Sequence, residues 1–202
     1  MTTPYTPVPA RVASAADVDA IVATMTTAFF DDPLWGPAFP DAGRRAEQAA
    51  ALWRLCVTSA LRFPWMLVTE HVESAALWIP PGEHELTAEE EGGLEDFLVG
   101  LTGREAADGI LAVFERLDAV HPSEPHFYLS LLATHDDHRG RGLGMGLLAE
   151  NLARIDAVGA PAYLESCNPV NNRRYERAGF LARDTVTLGG RPVTTMWRPA
   201  RG

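Results

Sequence analysis

Three places in this 202-residue chain hold residue types suited to chemistry. The first is Arg139-Gly140-Arg141-Gly142-Leu143-Gly144. Glycines let main-chain N–H groups come close to an anion. A helix that begins there adds partial positive charge, and Arg139 and Arg141 add full charges, so the loop suits a pyrophosphate. The dinucleotide fingerprint G-x-G-x-x-G fails in both registers, because Met145 and Leu147 stand where it needs glycine. The Walker pattern fails because no Gly-Lys pair exists. The second place is Glu165, a carboxylate inside the apolar stretch Ala162 to Cys167. Such a group is costly unless it is paired, for instance with Arg139, or solvated in a cleft, or functional. Cys167, two residues on, reads as a small buried thiol. The third is Tyr175, four residues after Asn171 and on the same helical face. His135, Asp136, Asp137 and His138 flank the loop too tightly to share a metal ion, and they read as solvated or phosphate-contacting residues.

The elements that must position these groups are legible in the spacing. Arg11 to Ala13 forms a first strand, and Ser14 caps a helix with Asp17 at its third position. Val18, Ile21, Val22, Met25 and Phe29 keep helical spacing until Asp31-Asp32-Pro33 stops it. A loop over 31–41 carries Trp35 and Phe39. A second helix spans 44–62. Trp65 to Glu70 and Ser74 to Ile79 make a hairpin that ends at Pro80-Pro81-Gly82. The acidic stretch from Glu83 to Leu117 is helical with a break near Gly100 to Gly103, and Glu89-Glu90-Glu91 is a solvated face. His126 to Thr134 is the best strand, near-continuously apolar and so expected to be buried on both faces. The glycine loop comes directly after it. Next is a helix built on Leu143, Leu147, Leu148, Leu152 and Ile155 and closed by Gly159. Pro161 to Cys167 is a strand, and Asn168, Pro169 and Gly179 frame a short helix. A last hairpin turns at Gly189-Gly190. The class is α/β or α+β with a mixed sheet, in a single domain over 1–202 with a helical insertion at about 86–117.

Composition narrows the function. Net charge is −10, which argues against broad nucleic-acid binding and mildly favours cationic partners. All 17 basic residues are Arg, so Schiff-base lysine chemistry is excluded. Two cysteines form neither a disulfide framework nor a metal set. No basic and apolar leader and no apolar run of membrane length is seen. The expectation is a cytoplasmic protein, monomer or homodimer, with no membrane or nucleic-acid partner and no metal.

The loop fits R/Q-x-x-G-x-G/A, and with its surroundings the chain resembles the Gcn5-related N-acetyltransferases from about Arg11 to Trp197. Within them it is most similar to the puromycin N-acetyltransferase group. The matching stretches are Asp137 to Gly144, Pro161 to Ser166, and Asn168-Pro169 through Tyr175-Glu176-Arg177-Ala178-Gly179-Phe180. The family commonly has Gln at the place of Arg139, and often Val and Pro at those of Thr134 and Asp136.

The resemblance implies a splayed central sheet and acetyl-coenzyme A as cosubstrate, and it carries roles onto particular residues. Leu132, Ala133 and Thr134 would hold the thioester and pantetheine by main-chain groups, with Arg139, Gly140, Arg141, Gly142, Leu143 and Gly144 on the pyrophosphate. Asn168 and Asn171 would complete the coenzyme site. Tyr175 would protonate the departing thiolate, and Glu165 would take the amine proton. Phe30, Asp31, Asp32, Trp35, Trp78, Tyr128 and Trp197, with Phe29 beside them, would wall an acceptor pocket suited to an organic cation. The implied reaction is direct acetyl transfer in a ternary complex to a small-molecule amine, with amine antibiotics among the candidate acceptors. A protein or peptide acetyltransferase and a non-catalytic acyl-coenzyme A sensor stand as alternatives.

Overall fold

A computed structural model describes residues 5–201. Seven strands form one mixed sheet: β1 (Ala10–Val12), β2 (Leu67–Thr69), β3 (Ser74–Ile79), β4 (Phe127–Thr134), β5 (Ala162–Ser166), β6 (Leu181–Leu188) and β7 (Arg191–Arg198). Their order is β1-β2-β3-β4-β5-β7-β6. Among the described residues β4 and β5 run parallel, and the other pairs are antiparallel.

Helices cover both faces. On one side lie α1 (Val18–Phe29), α2 (Trp35–Ala38), α3 (Arg45–Ala60), α4 (Ala88–Thr102) and α5 (Arg104–Asp118). On the other lie α6 (Leu143–Ala157) and α7 (Asn172–Arg177). The first core gathers Ile21, Met25, Leu52, Trp53, Leu77 and Ile110; the second gathers Trp78, Leu129, Leu147, Leu148, Leu164 and Phe180. Neighbours Leu77 and Trp78 enter opposite cores because strand side chains alternate.

That alternation breaks once in β4. Phe127 and Leu129 join the α6 side, while Leu131 and Ala133 join the α1 side. The register explains it: Trp78 faces Leu129 and Leu77 faces Leu131, so one step on β3 spans two on β4 and Ser130 is extra. This is a β-bulge, which bends its strand and re-aims the side chains beyond it. Pairing with β5 stops at the same place, at Leu129 opposite Leu164. Past the bulge β4 stays paired to β3 through Thr134, and its other edge is open.

Several predicted elements are present with small differences. The 31–41 loop contains the short helix α2, nucleated by Asp32, whose Oδ1 accepts the N–H groups of Leu34 (2.9 Å) and Trp35 (3.1 Å). The Glu89–Glu91 run is more than a solvated face. Glu90 closes a capping box with Thr87 and accepts from Ser59 Oγ at 2.5 Å. The helical break sits at Gly103, φ +83°.

Candidate active site

The glycine loop lies between β4 and α6. Gly142, in the left-handed region (φ +78°), is the N-cap of α6, and no side chain caps that helix. The first-turn amides of Leu143, Gly144 and Met145 therefore have no intrahelical partner. A Cβ on Gly144 would fall 2.7 Å from Thr134 Oγ1, so only glycine lets this turn close onto β4. Arg139 donates to the Ala28 carbonyl (2.9 Å) and pairs with Asp136 (2.8 Å). Arg141 lies 2.8 Å from the His138 ring. Ala133 presents its carbonyl to Ser74 Oγ at 2.6 Å, and Thr134 Oγ1 is 3.1 Å from the same hydroxyl.

The splay between β4 and β5 opens a narrow cleft lined by Leu132, Ser130, Glu165, Cys167, Asn168, Asn171, Asp32 and Tyr175. Tyr175 stands on α7 with its ring edge-on to Phe180. Burial, reinforced by Cys167, pushes its phenol up. Burial likewise pushes up the Cys167 thiol and the Asp32 carboxyl. Asn168 caps the turn before α7 through Val170 N–H (3.1 Å), and Asn171 Oδ1 accepts from Arg174 (2.8 Å).

This cleft meets a cavity of about 560 Å³ under α4 and α5. The two share Trp35, Ser130, Leu131, Glu165 and Cys167. The cavity carries aromatic walls from Trp35, Trp53, Phe114 and Tyr128, and carboxylates from Glu85, Glu115, Asp118 and Glu165, among others. The Glu85 carboxyl accepts from Ser130 Oγ, and burial followed by the Glu165 charge raises it. The Glu165 side chain is 3% exposed, and its Oε1 has no hydrogen-bond partner among the described residues. His121 Nδ1 is 3.8 Å away. His121 Nε2 lies 3.0 Å from His126 Nε2, and His126 Nδ1 lies 2.6 Å from the Glu124 carbonyl. Tyr128 and Tyr163 pack edge-on against the His121 ring.

Residues 58–180, which include the glycine loop, Glu165 and Tyr175, match the Acetyltransferase (GNAT) family. The chain belongs to that family. It is an acetyl-CoA-dependent N-acetyltransferase. Among solved structures it is similar to the histone acetyltransferase HPA2 and related acetyltransferase of Corynebacterium glutamicum, at 25% identity over 99% of this chain and 98% of that one, with a TM-score of 0.72. An arylalkylamine N-acetyltransferase 2 from Aedes aegypti shares 11% identity (95% and 98% covered, TM-score 0.63). An agmatine N-acetyltransferase shares 16% (94% and 97% covered, TM-score 0.61). At these lower identities the likeness is one of fold.

The GNAT cosubstrate finds fitting features here: an uncapped helix start, a loop that a Cβ would obstruct, and an open strand edge facing a cleft. Of the predicted acceptor walls, Trp35 and Tyr128 line the cavity, and Asp32 lines the cleft with its Oδ1 spent on the α2 turn. Four others stand elsewhere. Trp78 is fully buried on the α6 face, because strand alternation turns it from the cavity. Trp197 meets His126 edge-on and lies under the Arg183 guanidinium, outside the lining. Phe30 lies under Arg45, and Asp31 is exposed. Glu165 faces His121, while Arg139 is engaged elsewhere. Sequence reading missed His121, His126, Glu85 and Ser130. His121 and Glu85 sit in connecting segments without periodicity, and the bulge that turns Ser130 leaves no mark in an apolar run.

Proposed function

We propose that this GNAT enzyme acetylates a primary amine of a small, positively charged molecule by direct attack in a ternary complex. One observation carries the reading: a carboxylate-lined cavity joins the β4–β5 cleft at Glu165. Residues 1–202 serve as one catalytic domain, with the insertion at about 86–117 as the roof.

The amides of Leu143 and Gly144, within the loop Arg139 to Gly144, would hold the coenzyme pyrophosphate. The open edge of Leu132, Ala133 and Thr134 would pair with the pantetheine arm, with Asn168 and Asn171 at its rim. The bound thioester supplies an activated acetyl group. Main-chain N–H groups on β4 polarise its carbonyl where negative charge develops. Tyr175 keeps its proton across the working pH range, because burial raises the phenol, and yields it to the leaving thiolate. Glu165 receives the incoming ammonium, with Trp35 and Tyr128 flanking it as aromatic walls. Cys167 stays protonated and inert, since burial pushes its thiol up, which disfavours a covalent acyl-cysteine route.

A cavity of about 560 Å³ matches a compact amine in size. The test is a thiol-release assay with acetyl-CoA and a panel of amines: agmatine, putrescine, phenethylamine, puromycin, an aminoglycoside and short peptides. Stimulation by a compact cationic amine is the expected result. Turnover with puromycin would extend the puromycin-group resemblance to the acceptor. Turnover with peptides alone would reject the small-molecule reading, and tight acetyl-CoA binding with no turnover would favour the sensor.

A further inference from the structure

Two acceptor atoms, His121 Nδ1 and Glu165 Oε1, face each other at the cavity wall. The Glu124 main-chain carbonyl can only accept, so at 2.6 Å the His126 Nδ1 must carry a hydrogen. Burial, the foremost effect on His126, lowers its basicity and favours the neutral ring, whose Nε2 is then a bare lone pair. At 3.0 Å that lone pair requires a hydrogen on His121 Nε2. A neutral His121 is thereby left with its Nδ1 lone pair turned to Glu165. There Oε1 lies 3.8 Å away, without a donor and 3% exposed. A lone pair and a carboxylate oxygen in this arrangement both lack a donor, and the N–H groups of an ammonium can serve the two at once.

We propose that His121 Nδ1 is the base that takes the proton of the acceptor ammonium, with Glu165 as its electrostatic anchor and His126 as the positioning residue that fixes the His121 tautomer. This rests on the acetyl-transfer reading above and deepens it. The protons balance. The ammonium, held between Glu165 and His121, gives one proton to His121 and becomes a neutral amine. The amine nitrogen forms a bond to the acetyl carbon, and the carbon–sulfur bond breaks. Tyr175 protonates the departing thiolate and is restored by the second proton lost from nitrogen. One proton per turnover leaves through His121, whose side chain is 30% exposed and can return it to water.

The other groups around this pair are accounted for. Tyr128 and Tyr163, from β4 and β5, press on the His121 ring, and both phenols are pushed up by burial and by Glu165, so they stay neutral. From α5, Glu115 and Asp118 line the same cavity, as does Glu85 ahead of α4. Arg183 on β6 is held 3.4 Å from the Glu124 carboxylate. Carboxylates dominate the site, which favours the incoming ammonium.

The experiment is the pH profile of kcat/KM for agmatine, or for the best acceptor of the panel, with wild type, His121→Ala, His121→Gln and His126→Asn. Acetyl-CoA affinity within twofold of wild type marks each variant as folded. Wild type should show an acid limb and then a plateau that runs up to the amine's own pKa. With the base removed, only amine that has already lost its proton reacts. His121→Ala and His121→Gln should therefore fall about 10²-fold at pH 7 and rise with unit slope, without a plateau. Free imidazole should restore part of the His121→Ala rate. Asn at 126 keeps a donor for the Glu124 carbonyl but offers no Nε2 lone pair, so His126→Asn should displace the acid limb while KM for acetyl-CoA stays constant. A plateau and a rate within threefold of wild type in both His121 variants would overturn the base assignment and leave acetyl transfer standing. An unmoved limb in His126→Asn would remove the positioning role. A wild type silent with every amine would overturn both readings together.

Discussion

Tyr175 and Glu165 meet in one cleft although they come from different elements, one on α7 and one on β5. Their proposed duties separate in kinetics. Tyr175→Phe removes only the phenolic proton, so kcat should drop about 10²-fold while acetyl-CoA affinity, read by calorimetry, stays within twofold. Equal turnover would take Tyr175 out of the mechanism. Glu165→Gln keeps the shape and deletes the charge that faces the ammonium. KM for a cationic amine should rise at least tenfold, and the loss should be smaller for a weakly basic arylamine, which binds uncharged. A uniform loss for both amines would point to a structural role for Glu165.

At the scale of elements, the proposed coenzyme site rests on two departures from regular geometry. The Ser130 bulge in β4 frees one strand edge, and Gly142 starts α6 in the left-handed region. Gly142→Ala forces a side chain into φ +78°, which costs about 1 kcal/mol and misaligns the first-turn amides. Weaker acetyl-CoA binding with only a few degrees' loss in melting temperature is the expected result. A second joint is the Arg198–Asp156 pair, bidentate at 2.6 and 2.7 Å, which ties the end of β7 to the end of α6. Arg198 is 2% exposed while Asp156 keeps some contact with water, so Arg198→Ala should cost ~2 kcal/mol in chemical denaturation. The link from β1 to α1 is different, because it titrates. Two hydrogen bonds from Arg11, at 2.7 and 2.8 Å, hold Asp17 well below the usual carboxylate range. A depressed folded value means that this stabilisation is present above the unfolded value, about 4, and is lost as pH falls through the folded one. Asp17→Asn should thus melt below wild type at pH 7, and the gap should close in acid.

For the whole molecule, charge and enclosure act together. Net charge is −10 and the cavity wall is acidic, so a cationic amine is attracted over distances comparable to the Debye length. Raising salt from about 0.05 to 0.5 M should increase KM for a dicationic acceptor several-fold with kcat nearly constant. The same change should lower, or leave alone, KM for the anionic acetyl-CoA. The chain has no helix, among the described residues, long and apolar enough to cross a membrane. Its two helical layers are instead spent on the sheet. In the proposed reading the α1–α5 layer borders the acceptor side, and α6 and α7 border the coenzyme side.

By itself the sequence determined the local frame. Ser14, Asp32-Pro33, Gly142, Asn168-Pro169 and Gly179 set helix ends by chemistry confined to a few neighbouring residues, so those boundaries were legible, as were the glycine loop and the GNAT resemblance. Side-chain placement across elements was not. Trp78 and Trp35 are both large apolar residues, and only the pleat of β3 and the Asp32 turn decide which one reaches the cavity. The strand over His126 to Thr134 read as one apolar run; its bulge arises from pairing with β3, a contact with residues some 50 positions away. The His121–Glu165 pair joins the segment between α5 and β4 to β5, 44 positions apart. Local periodicity carries no record of such a meeting, because the sheet's packing alone brings the two groups together.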